Sequence, residues 1–137
     1  MCTPEVNGIK IHGMEPDNME DTGRRFDPSR LLQFCVAVLE TVGVTRENAE
    51  IVAHSLLAAN LRGVDTHGIT RLPIYVERLQ AGLTNGRTQG MVSVETPTSA
   101  IYDGQDGLGQ VIGTRAMRLA IAKAESAGIG MVTTRNS

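Results

Sequence analysis

Tryptophan is missing from this sequence, and phenylalanine and tyrosine occur only twice each. That is too few rings for a platform on which nucleic-acid bases could stack. Clusters of Lys and Arg are missing as well, and the net charge is -2. A phosphate-binding surface needs such clusters, so nucleic acid is not expected as the main partner. No apolar run approaches the roughly 18 residues a membrane helix requires. The N-terminus has no hydrophobic signal-peptide core. Only two cysteines are present, Cys2 in a polar tail and Cys35 inside an apolar helical pattern. A disulfide framework is therefore not expected, and a reducing, cytoplasmic setting fits better. Three histidines and two cysteines, none at metal-ligand spacing, give no basis for a metal site.

What is present is ordinary for a soluble globular protein: 41% apolar and 20% charged residues in a chain of 137. That length suffices for one modest core. Residues 1–25, with "NGIKIHGMEPDNMEDTGRR", are polar and aperiodic and read as a flexible tail, with Ile9 and Ile11 as its one short apolar anchor. Asp27 and Pro28 then supply a cap and a first helical residue, ahead of Leu31, Leu32, Cys35, Val38, Leu39 and Val42 at helical spacing. Gly43 stops this helix, and Thr45 caps a second. The apolar face of that second helix is Ala49, Val52, Ala53, Leu56, Leu57 and Leu61, and Gly63 ends it. A third helix is expected to start near Gly68 and to carry Ile69, Leu72, Val76 and Leu79, with Pro73 tolerated in its first turn or at a bend. Leu31, Leu39, Val52, Leu56, Leu72 and Leu79 are the expected helical core.

The pattern changes after Asn85. "GMVSVET" and "SAIYDG" have strand composition. A glycine-rich turn and a long helix follow, the helix carrying Leu108, Val111, Ile112, Ala116, Leu119, Ala120, Lys123 and Ala124 and ending at Gly128. "IGMVTTR" reads as another strand. Strand, helix and strand in that order make a parallel crossover. The fold class is therefore α/β: a three-helix segment over residues 26–84, then the start of a mixed sheet with a strand-helix-strand unit over residues 85–137.

One stretch, "VDTHGITRLP", concentrates chemistry. On a helix starting near Gly68, His67 and Arg71 would lie one turn apart and face the same way. Arginine offers a planar fork that fits a carboxylate. Histidine side chains titrate near neutrality and can give or take a proton. Thr66 can orient the ring, and the free N–H groups of a helix start would favour an anion. A 2-oxo or 2-imino acid suits this set. A plain alternative stands beside it: Thr66-His67-Gly68 as a cap, with Arg71 solvated or paired with Asp65 or Glu77.

The segment Arg62 to Pro73, within "LRGVDTHGITRLPIYVERLQAGL", resembles the type-2 malate/L-lactate dehydrogenases, whose pattern is Arg-Gly-(Val/Ile)-Asp-(Ser/Thr)-His-Gly followed by Arg-Leu-Pro. "DGQDGLGQVIG" and "GIGMVTTRNS" are similar to later segments of that family. The resemblance implies NAD- or NADP-dependent oxidoreduction of small 2-hydroxy, 2-oxo or 2-imino carboxylic acids, a homodimer, and an α/β fold distinct from the Rossmann fold. It implies His67 as the acid/base histidine, Thr66 as the hydroxyl residue supporting it, usually serine, and Arg71 as the carboxylate clamp. Family members are longer. In them a strand like "MVTTRNS" leads into a His-Phe-Gly loop that begins the nucleotide site, so cofactor-binding residues are expected beyond Ser137. On that reading the chain carries an incomplete version of the fold and half an active site, needs a second half or a dimer partner, and is inactive alone. The rival reading is a remnant that acts only as an interaction or dimerisation module.

The remaining motifs read as structure. "GQDGLGQ" lacks both the Gly-x-Gly-x-x-Gly spacing and the Gly-Lys-Ser/Thr ending of nucleotide loops. It is expected to be a tight turn in which glycines carry positive φ and Asp106 or Gly107 caps the next helix. His54 reads as a packed or partly exposed helix histidine, His12 as a tail residue, and Arg24 and Arg25 as a solvated linker.

Overall fold

The computed structural model describes residues 25–137, together with the backbone of two short strands, Glu5–Val6 (β1) and Ile9–Lys10 (β2), which pair antiparallel. The expected flexible tail otherwise lies outside the described residues, as do Cys2, Ile11, His12 and Arg24.

Helix α1 spans Pro28–Thr41. The Asp27 carboxylate accepts a hydrogen bond from the Arg30 N–H at 2.9 Å, which satisfies an amide the helix cannot. Gly43, at φ +88°, turns the chain out. Helix α2 spans Arg46–Leu61, and the Thr45 hydroxyl accepts from the Asn48 N–H. The two helices close a core of Cys35, Val36 and Leu39 against Ala49, Val52, Ala53 and Leu56. Leu72 belongs to the same cluster, as do Leu108 and Val111 from farther along the chain. Of the six core residues expected from sequence, Leu39, Val52, Leu56 and Leu72 are buried and Leu79 packs against them. Leu31 is not part of this core; it lines a shallow groove with Phe26 and Phe34. Leu61 is 69% exposed, so helical spacing alone overstated that face. One buried polar group joins the core to the next segment. The Asn48 amide donates to the carbonyls of Gly86 and Thr88 at 3.1 and 3.0 Å.

The third helix does not start at Gly68. Helix α3 spans Leu72–Gln80, with Pro73 in its first turn. Two short 3-10 turns, Asp65–His67 and Ile69–Arg71, precede it. Gly68 between them is extended, at φ -87° and ψ -152°. Pro73 has no N–H to offer the Ile69 carbonyl, which accepts from the Leu72 N–H instead, so this stretch closes as a 3-10 turn.

Strands Met91–Glu95 (β3), Ser99–Asp103 (β4) and Met131–Arg135 (β5) make a mixed sheet in the order β3-β4-β5. β3 and β4 are antiparallel, with a bulge between Val92 and Val94, and β4 and β5 are parallel. Helix α4, Gly109–Ala127, is the crossover between the parallel pair. It packs Ile112 and Ala116 on Tyr102, Val92 and Val132. Lys123 on this face is only 7% exposed; its ammonium donates to Glu95 at 2.8 Å and to the Thr96 carbonyl at 2.7 Å. The helices followed by this sheet bear out the α/β reading.

The turn before α4 departs from expectation. Its positive φ values fall on Gln105 and Asp106, not on glycine. Gly104 and Gly107 are needed for space: a Cβ on them would lie 2.6 Å from the Asn136 carbonyl oxygen and 2.7 Å from Thr88 Cγ2, respectively. The residue capping α4 is Leu108, with no side-chain cap.

Candidate active site

Helix α2 ends where Gly63 takes a left-handed φ of +75° and the Val64 N–H folds back onto the Ala59 carbonyl. The chain enters the first 3-10 turn there. Thr66 Oγ1 and His67 Nδ1 are hydrogen-bonded at 3.0 Å. Arg71 Nε donates to the Thr66 carbonyl at 2.9 Å. The three residues singled out in the sequence thus form one hydrogen-bonded unit, but they sit on two turns and not on one helical face. Thr66, His67 and Arg71 are all exposed. Among the described residues, no protein group bonds His67 Nε2 or the terminal amino groups of Arg71, and Arg71 makes no ion pair with Asp65 or Glu77.

Five of the backbone N–H groups at this point are already paired. The amides of His67, Gly68, Arg71 and Leu72 bond to the carbonyls of Val64, Asp65, Gly68 and Ile69, and that of Ile69 to Asn60. The Arg71 side chain supplies the positive charge for an anion here.

Sequence reading missed Asn60. From the last turn of α2 its Nδ2 donates to Asp65 Oδ1 at 2.6 Å, while its Oδ1 accepts from the Ile69 N–H. Gly68 packs directly on this amide, so any Cβ there would run into Asn60. The Thr70 hydroxyl adds a bond to the Asp65 carbonyl at 2.8 Å. No periodicity marks an asparagine at a helix end for such a task.

Elsewhere, His54 is exposed beside Glu50, Ser55, Thr114 and Arg118 in an open groove between α2 and α4. Among the described residues no cluster of His, Cys, Asp or Glu could hold a metal ion. At the carboxyl end of the sheet, the Asp103 carboxylate accepts from the Gln105 N–H, the Asn136 amide and Arg135. These contacts, the Gln105 N–H first, hold its carboxyl below the usual carboxylate value.

The fold and site together define a mixed α/β protein that presents a histidine with a free ring nitrogen beside an anchored guanidinium. Residues 26–137 match the malate/L-lactate dehydrogenase family model, and the chain belongs to that family. It is 48% identical over 113 residues to a malate dehydrogenase of Pyrococcus horikoshii, an alignment covering 82% of this chain and 31% of that protein. The solved structure of malate dehydrogenase from Pyrococcus horikoshii OT3 superposes with a TM-score of 0.81 at 47% identity, covering 83% of this chain and 33% of the other. An L-sulfolactate dehydrogenase of Methanocaldococcus jannaschii is 41% identical over 110 residues, 80% of this chain and 32% of its own length. The chain thus spans about a third of the length of the relatives it matches.

Proposed function

We propose that this chain supplies the substrate-facing part of an NAD- or NADP-dependent oxidoreductase acting on 2-hydroxy, 2-oxo or 2-imino carboxylic acids. The hydrogen-bonded Thr66–His67–Arg71 unit carries the reading. In the protonated ring Nδ1–H donates to the Thr66 hydroxyl oxygen, and Nε2–H has no protein partner. Nε2 gives its proton to the carbonyl oxygen or imine nitrogen as that group is reduced, which leaves a neutral ring, and takes the proton back in the reverse direction. Arg71 is held by its Nε, so the plane of the guanidinium is set and its two terminal amino groups form a fork for the carboxylate. Membership in a dehydrogenase family supports a nicotinamide cofactor. The Gly104–Gly107 turn does not fit its phosphates, because the space beside Gly104 and Gly107 is filled by Asn136 and Thr88. No residue of this chain is therefore assigned to the cofactor. The reading includes a homodimer as the working assembly, and the free, buried Cys35 thiol accords with a reducing cytoplasm.

The test is a chimera in which residues 26–137 replace the matching third of the Pyrococcus horikoshii malate dehydrogenase. His67→Asn is expected to lower kcat by about 10²–10⁴-fold. Arg71→Lys keeps the charge but loses the fork, so it raises KM for the carboxylate substrate. Thr66→Ser is close to silent, whereas Thr66→Val is not. Unchanged kcat in His67→Asn together with unchanged KM in Arg71→Lys would refute the assignment. A second reading, an interaction module without turnover, is favoured by the exposed Val94, Ile101 and Met131 on the sheet. An inactive chimera combined with specific self-association of the chain in sedimentation would select it.

A further inference from the structure

The geometry points to Asn60 as the positioning residue of this site, acting through Asp65 and the Ile69 amide; the inference rests on the site proposed above. The two ends of one planar amide grip the two 3-10 turns on either side of Gly68. Nδ2 holds Asp65 in the turn that carries Thr66 and His67, and Oδ1 holds the Ile69 N–H in the turn that carries Arg71. The turns otherwise meet at an extended glycine, the residue that resists bending least. Asn60 therefore sets the angle between them, and with it the direction of His67 Nε2 relative to the Arg71 fork.

The chemistry requires an amide. Only a side chain with a donor and an acceptor on one rigid plane can satisfy a carboxylate and an N–H together. An aspartate at 60 would still accept from Ile69, but its second oxygen would confront the Asp65 carboxylate at hydrogen-bond distance. Such a pair bonds only while it shares a proton, so the contact would form in acid and be lost as pH rises. Of the two partners, Asp65 is exposed and Ile69 packs against the edge of the helical core. Asp65, Thr66, His67 and Arg71 are exposed and belong to neither buried cluster. Loosening them changes orientation while the helices stay packed.

The experiment uses NMR on the whole 137-residue chain. It reads solvent exchange of the Arg71 Nε proton, which is bonded to Thr66, and the ring nitrogen shifts of His67. Asn60→Asp at neutral pH is expected to speed Arg71 Hε exchange by about tenfold and to average the His67 shifts, because a bond to a charged partner is lost. Acidification slows the exchange again. The reversed pair Asn60→Asp/Asp65→Asn restores both signals at neutral pH, since the donor and acceptor have only changed sides. Unchanged amide signals from Val111 and Ile112 report an intact core. Unaltered Arg71 and His67 signals in Asn60→Asp would overturn the inference, as would failure of the reversed pair to restore them or to fold. None of these signals depends on turnover. If His67→Asn left the chimera fully active, the positioning result would stand and only the catalytic role would fall.

Discussion

Alanine at Gly68 is a sharp test of how the His67 turn is held. The φ of -87° lies outside the left-handed region that favours glycine. Through the unfolded chain alone, such a substitution stabilises a protein by about 0.4–1 kcal/mol. The new Cβ, however, falls on the Asn60 amide. That amide must swing away and give up its bonds to Asp65 and to the Ile69 N–H. Water reaches both sites, so the low ends of the usual ranges apply: about 1.5 kcal/mol for the bond to the carboxylate and about 0.5 kcal/mol for the other. Set against a gain of about 0.5 kcal/mol, Gly68→Ala should cost about 1.5 kcal/mol. With Asn60→Ala already in place, the clash and both bonds are gone, and the same substitution should be neutral or slightly stabilising. The expected coupling is therefore about 2 kcal/mol, within the range measured for contacting residues. Urea unfolding of the four proteins of the cycle, followed by far-UV circular dichroism with constant m-values, measures it. Additivity within about 0.5 kcal/mol would refute the contact.

Leu56→Ala should cost about 2–5 kcal/mol, because Leu56 is 1% exposed in the helical core. Leu61→Ala, at a 69% exposed position, should stay within about 0.5 kcal/mol, and equal losses in urea unfolding would contradict the packing. Asp103 is held below the usual carboxylate value by the Gln105 N–H first, so folding favours its ionised form. Its contribution is present above the ordinary carboxylate pKa and is lost as pH falls through the lowered one. Thermal unfolding across acidic pH should therefore show a shallower loss of stability in Asp103→Asn, and parallel profiles would exclude that role. Burial raises the Cys35 thiol pKa, so a thiol reagent should label Cys35 far more slowly in the folded chain than in urea; peptide mapping decides this, and equal rates would count against it.

The sequence by itself determined the elements whose signals close within a turn. Asp27 and Thr45 cap helices because each carboxylate or hydroxyl meets an N–H three residues on. Gly43 and Gly128 stop helices because a left-handed φ suits glycine. The crossover from β4 through α4 to β5 followed from the order of periods in the chain. Thr66, His67 and Arg71 were visible as types at a spacing, although which face they shared was not. Tertiary structure decided what depended on distant partners. The Ile69 N–H, in the turns that precede α3 at Leu72, is held by Asn60, nine residues away. Gln105 and Asp106 take positive φ while Gly104 and Gly107 serve as space, because Asn136 and Thr88 crowd the turn. Asn48 is buried because its amide meets the carbonyls of Gly86 and Thr88, 38 and 40 residues away, whereas Leu61, at the same helical spacing as the buried face, is exposed. A local hydrogen bond is set by the residues that make it, whereas a side chain bridging two segments has no defined partner until the core brings those segments together.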